Sequence, residues 1–117
     1  MDKNEFRLKT EQMLNYMKQR SYKEAKDIAD MIDWRKVKNT SLLCAVSEIY
    51  EYSGEYQKSR DILFLAYDRS PDSRKIIYRL GILALKLGQI REAADCYKEF
   101  VAIAPKDPNQ YILKYKI

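Results

Sequence analysis

Histidine is absent from the 117 residues. That removes the usual general base at neutral pH and the commonest metal ligand. The sequence also has no Gly-rich phosphate loop, no nucleophile elbow and no CxxC pair. A non-enzyme without cofactor or metal is the expectation. Glycine and proline number three each, which leaves little turn chemistry and favours helices. Apolar runs are short: Ile62 to Tyr67 falls far below the ~20 residues of a membrane span, and no membrane partner is expected. The opening stretch, "MDKNEFRLKTEQM", lacks the apolar core of a signal peptide. Cys44 and Cys96 are too few and too isolated for a disulfide framework or zinc site. Both lie in apolar helical patterns and read as buried free thiols, in keeping with a reducing, cytoplasmic setting.

What the chain does contain is a period. Hydrophobic residues at 46% and charged residues at 33% describe one globular domain over residues 1–117. Within it, "SGEYQKSRDILFLAYDRSP" and "LGQIREAADCYKEFVAIAP" share the order Gly, small residue, apolar core, Pro. Gly54 to Gly88 and Pro71 to Pro105 are each 34 residues, and a further step back lands on Arg20. Tyr22, Tyr56 and Ile90 share one phase, Ala25, Ser59 and Ala93 a second, and Tyr16, Tyr50 and Ala84 a third. A fixed period of this length marks stacked structural units. The units fall at about residues 6–39, 40–73 and 74–107, with a C-terminal helix over 108–117.

Each unit reads as two helices, A and B. In the second, Leu42, Leu43, Val46, Ile49 and Tyr50 keep helical spacing until Gly54 turns the chain, and helix B stops at Pro71. The third repeats this around Gly88 and Pro105. Ser21 with Glu24 has the pattern of a capping box, and Asp107-Pro108 opens a seventh helix. An all-α chain with turns at Arg20, Gly54 and Gly88 is predicted.

Here the residues resemble the tetratricopeptide repeat (TPR) family. The third unit carries Ile77, Leu80-Gly81, Ala93, Tyr97 and Pro105, with Ala84 where the pattern has Tyr. The second has Leu43, Val46-Ser47, Tyr50, Ser59, Leu63 and Pro71. The first keeps only Tyr16, Tyr22 and Ala25, as suits a terminal repeat with one face in water. The resemblance spans about Asn4 to Pro105 and implies a right-handed α-solenoid in which helices A line a concave groove that holds a peptide or protein segment. Family members that grip a terminal carboxylate use five groove positions. Lys75 and Arg79 match two of them, while Thr10, Leu14 and Ala45 fail the other three, so that clamp is not expected.

In this register the groove receives Thr10, Leu14, Ser41, Ala45, Glu48 and Lys75 among others. Of ten tyrosines, Tyr16, Tyr22, Tyr50, Tyr56 and Tyr97 fall on packing positions, and Tyr52 and Tyr78 on the groove. Trp34 is expected to fold back over the junction between units. The basic character concentrates between Arg69 and Arg91, with six cations against Asp72 alone. The predicted contact set is Lys75, Tyr78, Arg79, Tyr52, Glu48 and Lys86, with Lys75, Tyr78, Arg79 and Tyr52 forming one patch for an acidic segment. The alternative is a nucleic-acid-binding solenoid using the third unit's basic surface, disfavoured by Glu11, Glu48 and Glu51 in the same groove. The apolar end, Tyr111, Ile112, Tyr115 and Ile117, is expected to be sticky. It reads either as the start of a longer repeat array or as a surface for a partner or for self-association through the C-terminal helix.

Overall fold

Side-chain caps open one set of helices and left-handed residues close it. The computed structural model describes all 117 residues as α1 (Lys3–Lys18), α2 (Tyr22–Ala29), α3 (Thr40–Tyr52), α4 (Tyr56–Arg69), α5 (Arg74–Lys86), α6 (Ile90–Ile103) and α7 (Asn109–Lys116), with one 3-10 turn at Trp34–Lys36 and no strand. The helices A begin on Asp2, Asn39 and Ser73, whose side chains accept the backbone N–H groups of Glu5, Leu42 and Ile76. They end where Arg20, Gly54 and Gly88 take φ of 59°, 79° and 73°. The next N–H then reaches five residues back, Ser21 to Tyr16 O, Glu55 to Tyr50 O and Gln89 to Ala84 O, each at 2.8 Å. This is the Schellman closure, and it recurs in every unit.

That closure explains a miss. Ser21 is the N-cap of α2, but its side chain makes no cap bond. A capping box needs the N-cap N–H free to meet Glu24, and here that N–H is spent on the Tyr16 carbonyl. At α7, Asp107 Oδ1 accepts from Asn109 N at 2.9 Å, while Pro108 already has helical φ and ψ.

Each A helix packs on the B helix that follows, and each B helix on the next A helix, so the chain forms a solenoid of 42 × 24 × 21 Å. The main core runs from Met13 and Ala25 through Leu43, Val46, Ile49 and Leu63 to Leu80 and Leu83. A second cluster, Ile77, Phe100, Ala104 and Leu113, seats α7 against α5 and α6. Trp34 is buried, donating Nε1–H to Ala29 O at 3.0 Å. Positions 13, 47 and 81 are repeat equivalents filled by Met, Ser and Gly. In the middle unit Ser47 and Ser59 satisfy each other across the A–B crossing, with Ser59 Oγ donating to Ser47 O at 2.7 Å and Ser47 Oγ to Ser59 O at 3.1 Å. In the third, a Cβ on Gly81 would stand 2.8 Å from Leu113 Cδ2 and 3.3 Å from Cys96 Cβ, so a larger residue would require the Leu113 side chain to shift.

Candidate peptide groove

Helices α1, α3 and α5 leave two clefts between them. One, of about 440 Å³, lies between α1 and α3 and includes Arg7, Thr10, Leu14, Ser41 and Ala45. The other, of about 320 Å³, lies between α3 and α5 and includes Ser41, Cys44, Ala45, Glu48, Ser73 and Lys75. They share Ser41 and Ala45, small side chains that border both clefts. Cys44 and Cys96 are both free and half-buried rather than fully buried. Burial pushes the Cys44 thiol up from its ordinary range, and Arg79 and Lys75 only partly oppose it.

The predicted contact residues separate into three groups. Lys75 and Glu48 line the same cleft, and neither forms an ion pair. Arg79 and Lys86 are committed elsewhere. Arg79, with 12% of its side chain exposed, donates to Cys44 O at 3.3 Å, Ser47 Oγ at 3.0 Å and Glu51 Oε1 at 3.1 Å. Lys86 Nζ donates to Glu51 Oε2 at 2.8 Å and lies 5.1 Å from the centre of the Tyr56 ring. Glu51 thus ties α5 to α3. Burial alone would raise its carboxyl, but hydrogen bonds from Lys86 and Arg79 prevail and hold it below the ordinary range.

The tyrosines form the third group and do not meet. Tyr52 is 67% exposed and stacks on Tyr22 with centroids 4.8 Å apart, at the turn end of α3. Tyr78 is half-buried against the Phe100 cluster, its ring centre 6.0 Å from that of Phe100. Position 78 is the repeat equivalent of 44, eight residues before Tyr52, or about 12 Å along a helix at ~1.5 Å per residue. The expected single patch of Lys75, Tyr78, Arg79 and Tyr52 therefore does not assemble. Glu51 was the signal for it: a carboxylate in the same groove register has first claim on an adjacent guanidinium.

The basic stretch is likewise partly spent. Besides Arg79 and Lys86, Arg74 lies 3.5 Å from Asp107. Lys75, Arg69 and Arg91 remain without ion pairs.

Stacked helical hairpins with clefts between successive A helices define an α-solenoid of repeats. Residues 75–107, the third unit, match the family model described as tetratricopeptide repeat. That match covers the third unit, and what the chain as a whole shares with tetratricopeptide-repeat structures is the fold. No curated protein sequence matches it. Among solved structures, it resembles the first TPR of Spaghetti (RPAP3) bound to the HSP90 peptide SRMEEVD, with 20% identity and TM-score 0.76 over 99% of this chain and 93% of that one. The second TPR domain of human RPAP3 in complex with the HSP70 peptide SGPTIEEVD gives 16%, 0.76, 92% and 90% in the same order. The Yersinia enterocolitica type III secretion chaperone SycD, in complex with a peptide of the translocator YopD, gives 10%, 0.72, 98% and 88%. At these identities the likeness is one of fold.

Proposed function

We propose that the protein is a non-catalytic scaffold that holds an extended peptide segment across α1, α3 and α5, with an acidic residue of that segment paired to Lys75. The observation that carries this reading is the surface made by the two adjacent clefts, which share Ser41 and Ala45. Lys75 and Glu48 are the charged groups in it with no internal ion pair, so they are the ones a ligand meets. Arg79 and Lys86 act indirectly, by fixing α5 against α3 through Glu51. Tyr52 and Tyr78 stand at the margins. Peptides held by the similarly folded RPAP3 and SycD domains support the class of ligand.

Nucleic acid fits less well. Three of the six clustered cations are occupied by Asp107 and Glu51, and Glu48 faces the cleft.

Selection of 12-residue peptides from a random library, followed by fluorescence anisotropy, tests the reading. Ala45→Arg, which sets a long side chain at the border of both clefts, is expected to abolish binding. Lys75→Glu is expected to weaken it by about tenfold, and added salt to weaken it further. Lys98→Glu, the same charge change on α6, is expected to have no effect. Equal losses from Lys75→Glu and Lys98→Glu would overturn the assignment. The peptide SRMEEVD is expected not to saturate, because Thr10, Leu14 and Ala45 supply none of the polar clamp groups and Arg79 is already engaged.

Self-association belongs to α7, where Tyr111, Ile112 and Tyr115 are 64%, 42% and 94% exposed. Light scattering across concentrations should show a dimer. A monomer throughout would remove this part.

A further inference from the structure

A third cleft lies between α4 and α6. Its volume is about 240 Å³, and it is lined by Arg60, Phe64, Tyr67, Leu80, Glu92, Asp95, Cys96 and Glu99. Two walls are aromatic, with Phe64 and Tyr67 edge to face at 6.3 Å and Phe64 37% exposed. The rim holds three carboxylates against one cation, in a protein whose net charge is +5. The carboxylates are unequally employed. Glu92 pairs with Arg60, Glu99 accepts only the Tyr67 hydroxyl at 2.6 Å, and Asp95 has no side-chain partner.

Arg60 shows how the cleft accommodates a guanidinium of the protein's own. Its guanidinium lies 4.8 Å from the Phe64 ring centre while it pairs with Glu92. An aromatic face beside a carboxylate is the pairing that suits a planar cation. The field in the cleft is negative: burial first, then Glu99, Glu92 and Asp95, push the Cys96 thiol up to about 11, and Arg60 only partly offsets them. The hydrogen bond to Glu99 chiefly carries the Tyr67 hydroxyl up to about 12, with burial adding to it.

We propose that the α4–α6 cleft is a second docking site, separate from the groove, that takes an arginine side chain from a basic segment of a partner protein. The incoming guanidinium pairs with Asp95 and Glu99, the carboxylates that hold no cation. Charge complementarity selects this occupant, since none of the four other principal clefts combines an excess of carboxylates with aromatic walls.

The probe is a hexa-arginine peptide blocked at both ends, titrated into the isotope-labelled protein and followed by backbone amide NMR. Saturable shifts are expected at Phe64, Tyr67, Asp95 and Glu99, lost in high salt. Asp95→Asn/Glu99→Gln should weaken binding at least tenfold while leaving the unfolding midpoint in place. Arg60→Gln should tighten binding a few-fold, because it removes the internal competitor. Lys75→Glu should leave hexa-arginine binding unchanged, which keeps this test independent of the groove. Shifts confined to α1, α3 and α5, shifts that never saturate, or undiminished binding by the double variant would overturn the proposal.

Discussion

Arg20 does a glycine's work. It holds φ at 59° at the position where the other units place Gly54 and Gly88, a conformation that costs a residue with Cβ about 1–2 kcal/mol. Arg20→Gly should therefore stabilise the protein by roughly 0.5–1 kcal/mol, net of glycine's greater chain entropy. Gly54→Ala should destabilise it by about 1 kcal/mol. Urea unfolding checks both signs. Glu51 gives a pH-dependent counterpart. Its carboxyl is lowered in the folded state, so its stabilisation is full above the unfolded value, ~4.3, and fades as pH falls through the lower folded value. Glu51→Gln should cost roughly 1–2 kcal/mol at neutral pH. The gap to the unsubstituted protein should close on acidification from about pH 5 to pH 3. A gap that persists at pH 3 would mean that packing, and not charge, holds α5 to α3 there.

At the scale of elements, the three turns, the seven helices and the pairing of A with B were legible in the 34-residue period, because each unit buries the same face in the same way. Contacts between units were less legible. They follow offsets other than the period, as in Arg60–Glu92 and Tyr67–Glu99, each 32 residues apart. Arg79 was rightly assigned to the helix-A register, but its ligand is Glu51 of the preceding unit. Side-chain competition of that kind is invisible to periodicity. The seat of α7 is a clearer case of sequence dictating contact. Gly81→Ala would push a methyl to 2.8 Å from Leu113 and should destabilise the protein by about 1–3 kcal/mol. Hydrogen exchange of α7 should accelerate more than that of α1. Uniform acceleration would show that Gly81 matters to the whole stack and not to the docking of α7.

For the whole molecule, stacking creates what no single hairpin has: a surface of adjacent clefts between α1, α3 and α5. Its chemistry is modest, one free lysine, one free glutamate and small side chains beneath, which suits holding a chain rather than transforming it. Half of the cations that gave the third unit its basic character are held in ion pairs, two of them tying α5 to α3, so ligand recognition falls to fewer residues than the charge count implies. Between α4 and α6 lies a separate acidic and aromatic cleft, and two clefts of different chemistry would let one small solenoid bridge two partners. The decisive measurement is the position of a bound peptide. Intermolecular nuclear Overhauser effects from a selected 12-residue peptide should reach Thr10, Ser41, Ala45 and Lys75 together. Contacts confined to α2, α4 and α6, with none to Ala45, would contradict the groove.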